Sequence, residues 1–137
     1  MESFTSRRLR DVKDGESKEL KNKRFLESFY GELQKTHQYH HFDFKGTNCW
    51  VEFRTRNCFR SHYDTTMLPA CKIDWAKKQE YPCFIVIQFT DDIYYWLVDK
   101  TMEFERKMGG RCDRNWNEYK NSYYYVPVNL FQKLSRQ

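Results

Sequence analysis

The sequence contains no long hydrophobic run. Its mean hydropathy is −0.96, and no stretch approaches the ~20 apolar residues that a transmembrane helix needs. The basic cluster Arg7-Arg8-Leu9-Arg10 has no apolar segment behind it, so no secretory signal is predicted. These absences exclude a membrane span, and we expect no membrane partner.

The cysteines lack the spacing of a structural site. They are odd in number and none lies in a Cys-x-x-Cys pair: Cys49, Cys58, Cys71, Cys83 and Cys112. A closed zinc site is therefore not predicted. We expect mostly buried, reduced thiols, which are typical of an intracellular protein.

Positive charge is only slightly in excess of negative charge. The 137 residues carry a formal net charge of +5, which weakly favours a polyanionic partner. This length fits one domain with a single core. Residues 1–18 are polar and charge-mixed, and they are interpreted as a flexible basic arm or, alternatively, as an inert tail. Residues 19–137 are predicted to form the folded α/β domain.

Hydrophobic periodicity predicts the order of helices and strands. Apolar residues recur at three- and four-residue steps from Glu19, which predicts an amphipathic helix ending near Thr36. The apolar run from Cys83 to Phe89 predicts a central strand covered on both faces. The remaining predicted elements are strands at His40–Phe44, Cys49–Arg56, Ile93–Val98 and Tyr123–Val128, a helix from Thr65 to about Gln79, and a short closing helix at Leu130–Leu134. Together they predict a single α/β domain with a mixed β-sheet flanked by helices.

The two strands that follow the first predicted helix carry acidic residues. Lys45-Gly46-Thr47-Asn48 separates them, and Gly and Asn are residues that a tight turn can use at positive φ. If the strands pair as a hairpin, Asp43 lies near Glu52, and Arg54 lies on the same face as Glu52. Two carboxylates and a cation at one sheet edge can hold a divalent metal against a phosphate.

This order of elements, with these acids, resembles the PD-(D/E)xK nuclease-like superfamily, in particular its RecB-like branch and small nuclease-like proteins of phages and large DNA viruses. The resemblance implies a restriction-endonuclease-like αβββαβ core. It also implies that Asp43 and Glu52 bind the metal, and that Arg54 stands where the family has lysine. Glu32 fits a glutamate that many members carry on the first helix, and Lys72 fits a later helical Lys or Gln.

The resemblance implies hydrolysis of DNA phosphodiesters with Mg²⁺, or with Mn²⁺, as the cofactor. Arg54 departs from the family pattern, because arginine stays charged and cannot easily activate water. Three outcomes stay open: activity with Arg54 as an electrostatic clamp, activity with Lys72 in the lysine role, and an inactive site that still binds DNA. For Asp43, Glu52 and Glu32, the alternative is an ordinary solvated acid.

Several arginines outside this motif are candidates for nucleic-acid binding. Arg56 ends the second strand and Arg60 follows it, while Arg111 and Arg114 follow a glycine pair in a long polar excursion. Arginines fork onto phosphate, so these four are predicted to contact the DNA backbone. For Arg56 and Arg60 the alternative is a solvated loop, and for Arg111 and Arg114 it is a loop held by ion pairs of Asp113 or Glu118.

Three functional hypotheses follow from these observations. The first is a nuclease acting in the cytoplasm or nucleus of a host cell, with DNA as its partner and with homodimerisation open. The second is an inactive nuclease-fold module, such as a virion or replication-complex component, that binds nucleic acid or protein. The third is a basic domain that contacts only protein through its tyrosines.

Overall fold

The fold of the chain is given by a computed structural model, which describes residues 20–108 and 122–134. The chain forms two units, Met1–Leu33 and Gln34–Gln137. The predicted N-terminal arm lies outside the described residues. Within those residues the structure has no helix with the length and apolar character that a membrane crossing requires.

The first unit contains helix α1, residues 20–30. It ends at Gly31, whose φ of 80° is a left-handed conformation that glycine adopts at helix C-termini. The Gly31 N–H donates to the Glu27 carbonyl at 2.9 Å, and the Leu33 N–H donates to the Glu27 carboxylate at 3.0 Å. The prediction that this helix reaches Thr36 and carries Glu32 is therefore wrong, because the chain leaves the helix one residue before Glu32.

The described strands of the second unit form two sheets. The larger has the order β1-β2-β3-β5-β6-β9, and β1 begins at the boundary between the units, with Gln34 and Lys35 in the second. Its strands are β1 Leu33–Lys35, β2 Phe44–Gly46, β3 Trp50–Thr55, β5 Cys83–Gln88, β6 Ile93–Leu97 and β9 Gln132–Lys133. The smaller sheet has the order β4-β8-β7. Its strands are β4 Thr65–Pro69, β7 Glu105–Met108 and β8 Ser122–Pro127.

β5 is the centre of the larger sheet, as its sequence predicts. It pairs parallel with β3 and antiparallel with β6. Ile85, Val86 and Ile87 are all buried, so side chains on both faces of the strand are covered. The chain order α1-β1-β2-β3-β4-α2-β5 contains the predicted αβββαβ core with β4 as an added strand, and the mixed α/β fold is confirmed.

The predicted helix from Thr65 begins later than expected. Residues Thr65–Pro69 form β4, which pairs antiparallel with β8, and helix α2 spans Ala70–Lys77. Thr66 and Leu68 are buried while Met67 is exposed, and this two-residue alternation suits a strand. Pro69 precedes the helix as its N-cap.

The predicted closing helix is also wrong. Val128–Leu130 form a short 3₁₀ turn, and β9 then pairs antiparallel with β6. The Leu134 N–H donates to the Ile93 carbonyl at 2.9 Å. Backbone pairing to the edge of the sheet therefore overrides the helical spacing of the apolar residues.

The central position of β5 predicts a large stability effect for a truncation there. Replacing Ile85, which is 1% exposed, with alanine is expected to lower the free energy of unfolding by about 2–5 kcal/mol, because it leaves a cavity. Leu97→Ala on β6, where the side chain is 47% exposed, is the control and should cost about 0.5 kcal/mol or less. Urea unfolding measures both, and equal losses would contradict the central role of β5.

Candidate active site

The predicted acidic pair lies on a hairpin. β2 and β3 are antiparallel, with Phe44 opposite Val51. Asp43 immediately precedes β2, and its Oδ2 accepts the Phe53 N–H at 3.1 Å. The Gly46 N–H closes the turn by donating to the Cys49 carbonyl at 2.8 Å. The hairpin is confirmed, but its turn uses no positive φ, since Gly31 is the described residue with that conformation.

Glu52 is the most buried charged residue of the hairpin. Only 3% of it is exposed, and the loss of hydration raises the pKa of its carboxyl. The nearby Asp43 charge raises this pKa further, while Lys72 and Arg54 oppose the shift. A carboxylate held under these conditions favours a further positive partner beyond Lys72 and Arg54.

The two oxygens of Glu52 differ in their contacts. Oε2 lies 3.0 Å from Lys72 Nζ and 3.1 Å from Arg54 Nε. Oε1 is buried and has no hydrogen-bond partner among the residues the structure describes. Because unpaired buried polar atoms are rare and costly, this oxygen is a candidate ligand for a cation.

Lys72 reaches Glu52 from α2. Its Nζ also donates to the His41 carbonyl, in the segment that leads to Asp43. Lys72 therefore links α2 to Glu52 and to the backbone two residues before Asp43. It lies on a helix after the motif, as predicted.

A divalent cation fits the carboxylates that are present. Asp43 and Glu52 are close enough for their charges to interact, and Glu52 Oε1 has acceptor capacity to spare. No group of three or more His, Cys, Asp or Glu within residues 20–108 and 122–134 is arranged to hold a metal. Two carboxylates could hold a divalent metal only if water molecules supplied most of its other ligands.

The acidic pair, with its buried Glu52, and the helical lysine agree with a family assignment. Residues 5–134 match the family model of the phage putative PDDEXK endonucleases. The chain belongs to this family. No curated protein and no solved structure matches the chain. The predicted membership of the PD-(D/E)xK superfamily is confirmed.

Two of the four arginines predicted to bind nucleic acid can be placed in this PDDEXK family member. Arg56 Nη2 donates to the Met67 carbonyl at 3.0 Å. Arg60 Nη1 lies 3.3 Å from the Val128 carbonyl, and its guanidinium lies 4.7 Å from the centre of the Tyr94 ring. Arg111 and Arg114 lie outside the described residues. Glu32 is exposed and belongs to the first unit.

Sequence reasoning missed the aromatic residues that hold the site of this family member. The His40 ring stacks on Trp50 at 4.9 Å, and the His41 ring stacks on Trp75 at 5.5 Å. Trp75 lies three residues after Lys72 on α2 and contacts Trp50 edge-on at 5.0 Å. His40 and His41 pack α2 against the acidic hairpin, and the nearby Trp50 and Trp75 were the signal in the sequence.

A cavity beside the site was also missed. It has a volume of about 870 Å³ and is lined by Arg54, Arg56, Phe59, Arg60, Tyr63 and Tyr125, among others. Its walls come from β3, the following loop, β4 and β8, which are distant in sequence. Met67 lies opposite Tyr125 in the β4–β8 ladder, and both line the cavity. Pairing of these two strands could not be read from either segment alone.

Proposed function

We propose that this family member is a metal-dependent nuclease that hydrolyses DNA phosphodiester bonds, with Asp43 and Glu52 holding Mg²⁺ or Mn²⁺. The observation that carries the proposal is the state of Glu52. It is a buried carboxylate with both cations on one oxygen and no described hydrogen-bond partner on the other. When bound, a divalent metal would acidify an attacking water and neutralise charge on the scissile phosphate.

Lys72 takes the place of the family lysine in this proposal. Its Nζ lies against Glu52 and the His41 carbonyl, so it is held beside the acidic pair rather than in solvent. An ammonium in this position can orient a water or donate to a phosphate oxygen. Lysine can also release its proton when desolvated, whereas arginine cannot.

Arg54 acts as the phosphate clamp. Its Nε donates a hydrogen bond to the Glu52 carboxylate, and its side chain lines the cavity. The guanidinium stays charged and presents its remaining donors in a planar fork, which suits phosphate oxygens. This assignment keeps the charge of Arg54 while leaving water activation to Lys72.

The inactive nuclease-fold module is the second candidate, and one contact favours it. Glu52 is already paired with two cations, and these compete with a metal for the same carboxylate. Such a protein would bind DNA with strong salt dependence but would not cut it.

The proposed place of action is the interior of an infected cell, because the family is a phage family. Cys49, Cys58, Cys71 and Cys83 are free thiols, in keeping with a reducing compartment.

Cleavage of labelled DNA by the purified chain tests the proposal. We expect cutting with Mg²⁺ or Mn²⁺, none with EDTA, and loss of cutting in Asp43→Asn. The amide of this variant can still accept the Phe53 N–H, so the hairpin should stay folded. Cutting that persists in EDTA or in Asp43→Asn would overturn the proposed metal site. Binding without cutting under all conditions would favour the inactive module.

A further inference from the structure

The cavity beside Glu52 combines positive charge with exposed aromatic rings. We call it the arginine–aromatic groove and define it by Arg54, Arg56, Arg60, Phe59, Tyr63 and Tyr125. Its volume of about 870 Å³ lies in the range of cavities that take small organic ligands. It is therefore large enough to accept a short stretch of nucleotides.

The charge of the groove favours an anion. Three arginines line it, against one acid, Asp64. Burial and the nearby Arg54 charge lower the pKa of Arg56, so Arg56 is partly desolvated and the two guanidinium charges repel each other. A phosphate between them would relieve this repulsion and accept their hydrogen bonds.

The groove is joined directly to the acidic pair. Arg54 contacts Glu52 at 3.1 Å through Nε and lines the groove with the rest of its side chain. A strand whose scissile phosphate lies at Asp43 and Glu52 would therefore pass its neighbouring phosphates along Arg54 and Arg56.

The rings of the groove are unusually open to solvent. Phe59 is 56% exposed and Tyr63 is 63% exposed, and both lie in the loop between β3 and β4. Exposed rings beside arginines are typical of surfaces that stack unpaired bases. Bases inside a duplex are already stacked on one another, so they cannot offer their faces to these rings.

We propose that the arginine–aromatic groove binds unpaired nucleotides of a DNA strand, with bases stacked on Phe59 and Tyr63 and phosphates on Arg54 and Arg56. The inference rests on the proposed function and assigns its substrate class: single-stranded DNA or frayed ends rather than closed duplex.

Fluorescence anisotropy in EDTA tests the groove without any cleavage. The probes are a labelled mixed-sequence single strand and a closed hairpin duplex of the same nucleotide count. We expect tighter binding of the single strand, and about 5- to 100-fold weaker binding of it by Tyr63→Ala, since one stacking contact is lost. Phe59→Ala should act in the same direction.

Two further variants separate stacking from a general loss of structure. Tyr63→Phe keeps the ring and should bind as the unaltered protein does. Tyr81→Ala is the control, because it removes an exposed tyrosine (41%) at the opposite end of β5 from the groove. Tyr81 precedes β5, whereas the groove residue Phe89 follows it. Tyr81→Ala should also leave binding unchanged, and thermal melting should show all variants folded.

The outcomes distinguish this inference from the proposed function. Equal affinity for single strand and duplex, or unaltered binding by Tyr63→Ala, would overturn the groove assignment even if the protein cuts DNA. Ring-dependent binding of the single strand, with no cutting in either Mg²⁺ or Mn²⁺, would support the groove and overturn the nuclease proposal.

Discussion

Replacing Glu52 with glutamine is expected to reduce metal-dependent cleavage by roughly 10²–10³-fold or more, since a metal contributes several kcal/mol to the transition state. The carboxylate supplies the oxygen that has no described hydrogen-bond partner, and the amide of the variant is a poor metal ligand with no charge. The substitution preserves shape, and the amide oxygen can still accept from Lys72. Cleavage rates over a Mg²⁺ titration, with metal binding followed by calorimetry, measure the effect.

Glu105→Gln is the matched control for this substitution. Glu105 also lies on a strand and pairs with a cation two residues later, Lys107, at 3.4 Å, but its side chain is 68% exposed. Its loss should leave cleavage and metal binding unchanged. If Glu52→Gln cuts as fast as Glu105→Gln, Glu52 is not a metal ligand.

Replacing Lys72 with methionine is expected to lower kcat by about 10²–10⁴-fold, the range of positioned proton-transfer groups. Methionine keeps the length of the side chain but removes the ammonium that contacts Glu52. Lys78→Met, at the exposed C-cap of the same helix, is the control and should retain full activity. Single-turnover kinetics separates this loss from weaker substrate binding.

Arg54→Lys tests which of the two cations that contact Glu52, Arg54 or Lys72, takes the role of the family lysine. If Lys72 holds the lysine role, this variant loses the planar fork of arginine, so KM should rise without a gain in kcat. A rise in kcat would instead show that position 54 is where the reaction needs a lysine, and the assignment of Lys72 would be wrong.

The local parts of this site could be predicted from the sequence. The two-residue alternation of β3 places Glu52 and Arg54 on one face, and the apolar run of β5 marks the centre of the sheet. Lys72 was placed on a helix although the start of that helix was wrong. Thr65 and Thr66 favour either a cap or a strand, and only pairing with β8 decides between them.

The parts that could not be predicted depend on distant contacts or on one backbone angle. Gly31 ends α1 because it adopts a positive φ. The apolar spacing continues past Gly31, so it predicts a longer helix. The stacking of His41 on Trp75 joins segments 34 residues apart, and the groove needs β3, β4 and β8 together. Each depends on tertiary pairing that periodicity within one segment does not contain.

Strand β3 and the residue after it carry Glu52, Arg54 and Arg56 at two-residue intervals. Strand geometry separates such neighbours by about 6.6 Å, and pairing with β5 fixes the backbone in place, up to the Arg56 N–H that donates to Gln88. Under the proposed function, the distance from the cut bond to the phosphates bound by Arg54 and Arg56 is set by the backbone hydrogen bonds of β3. The cut would then fall at a constant number of nucleotides from the phosphates that these two arginines hold.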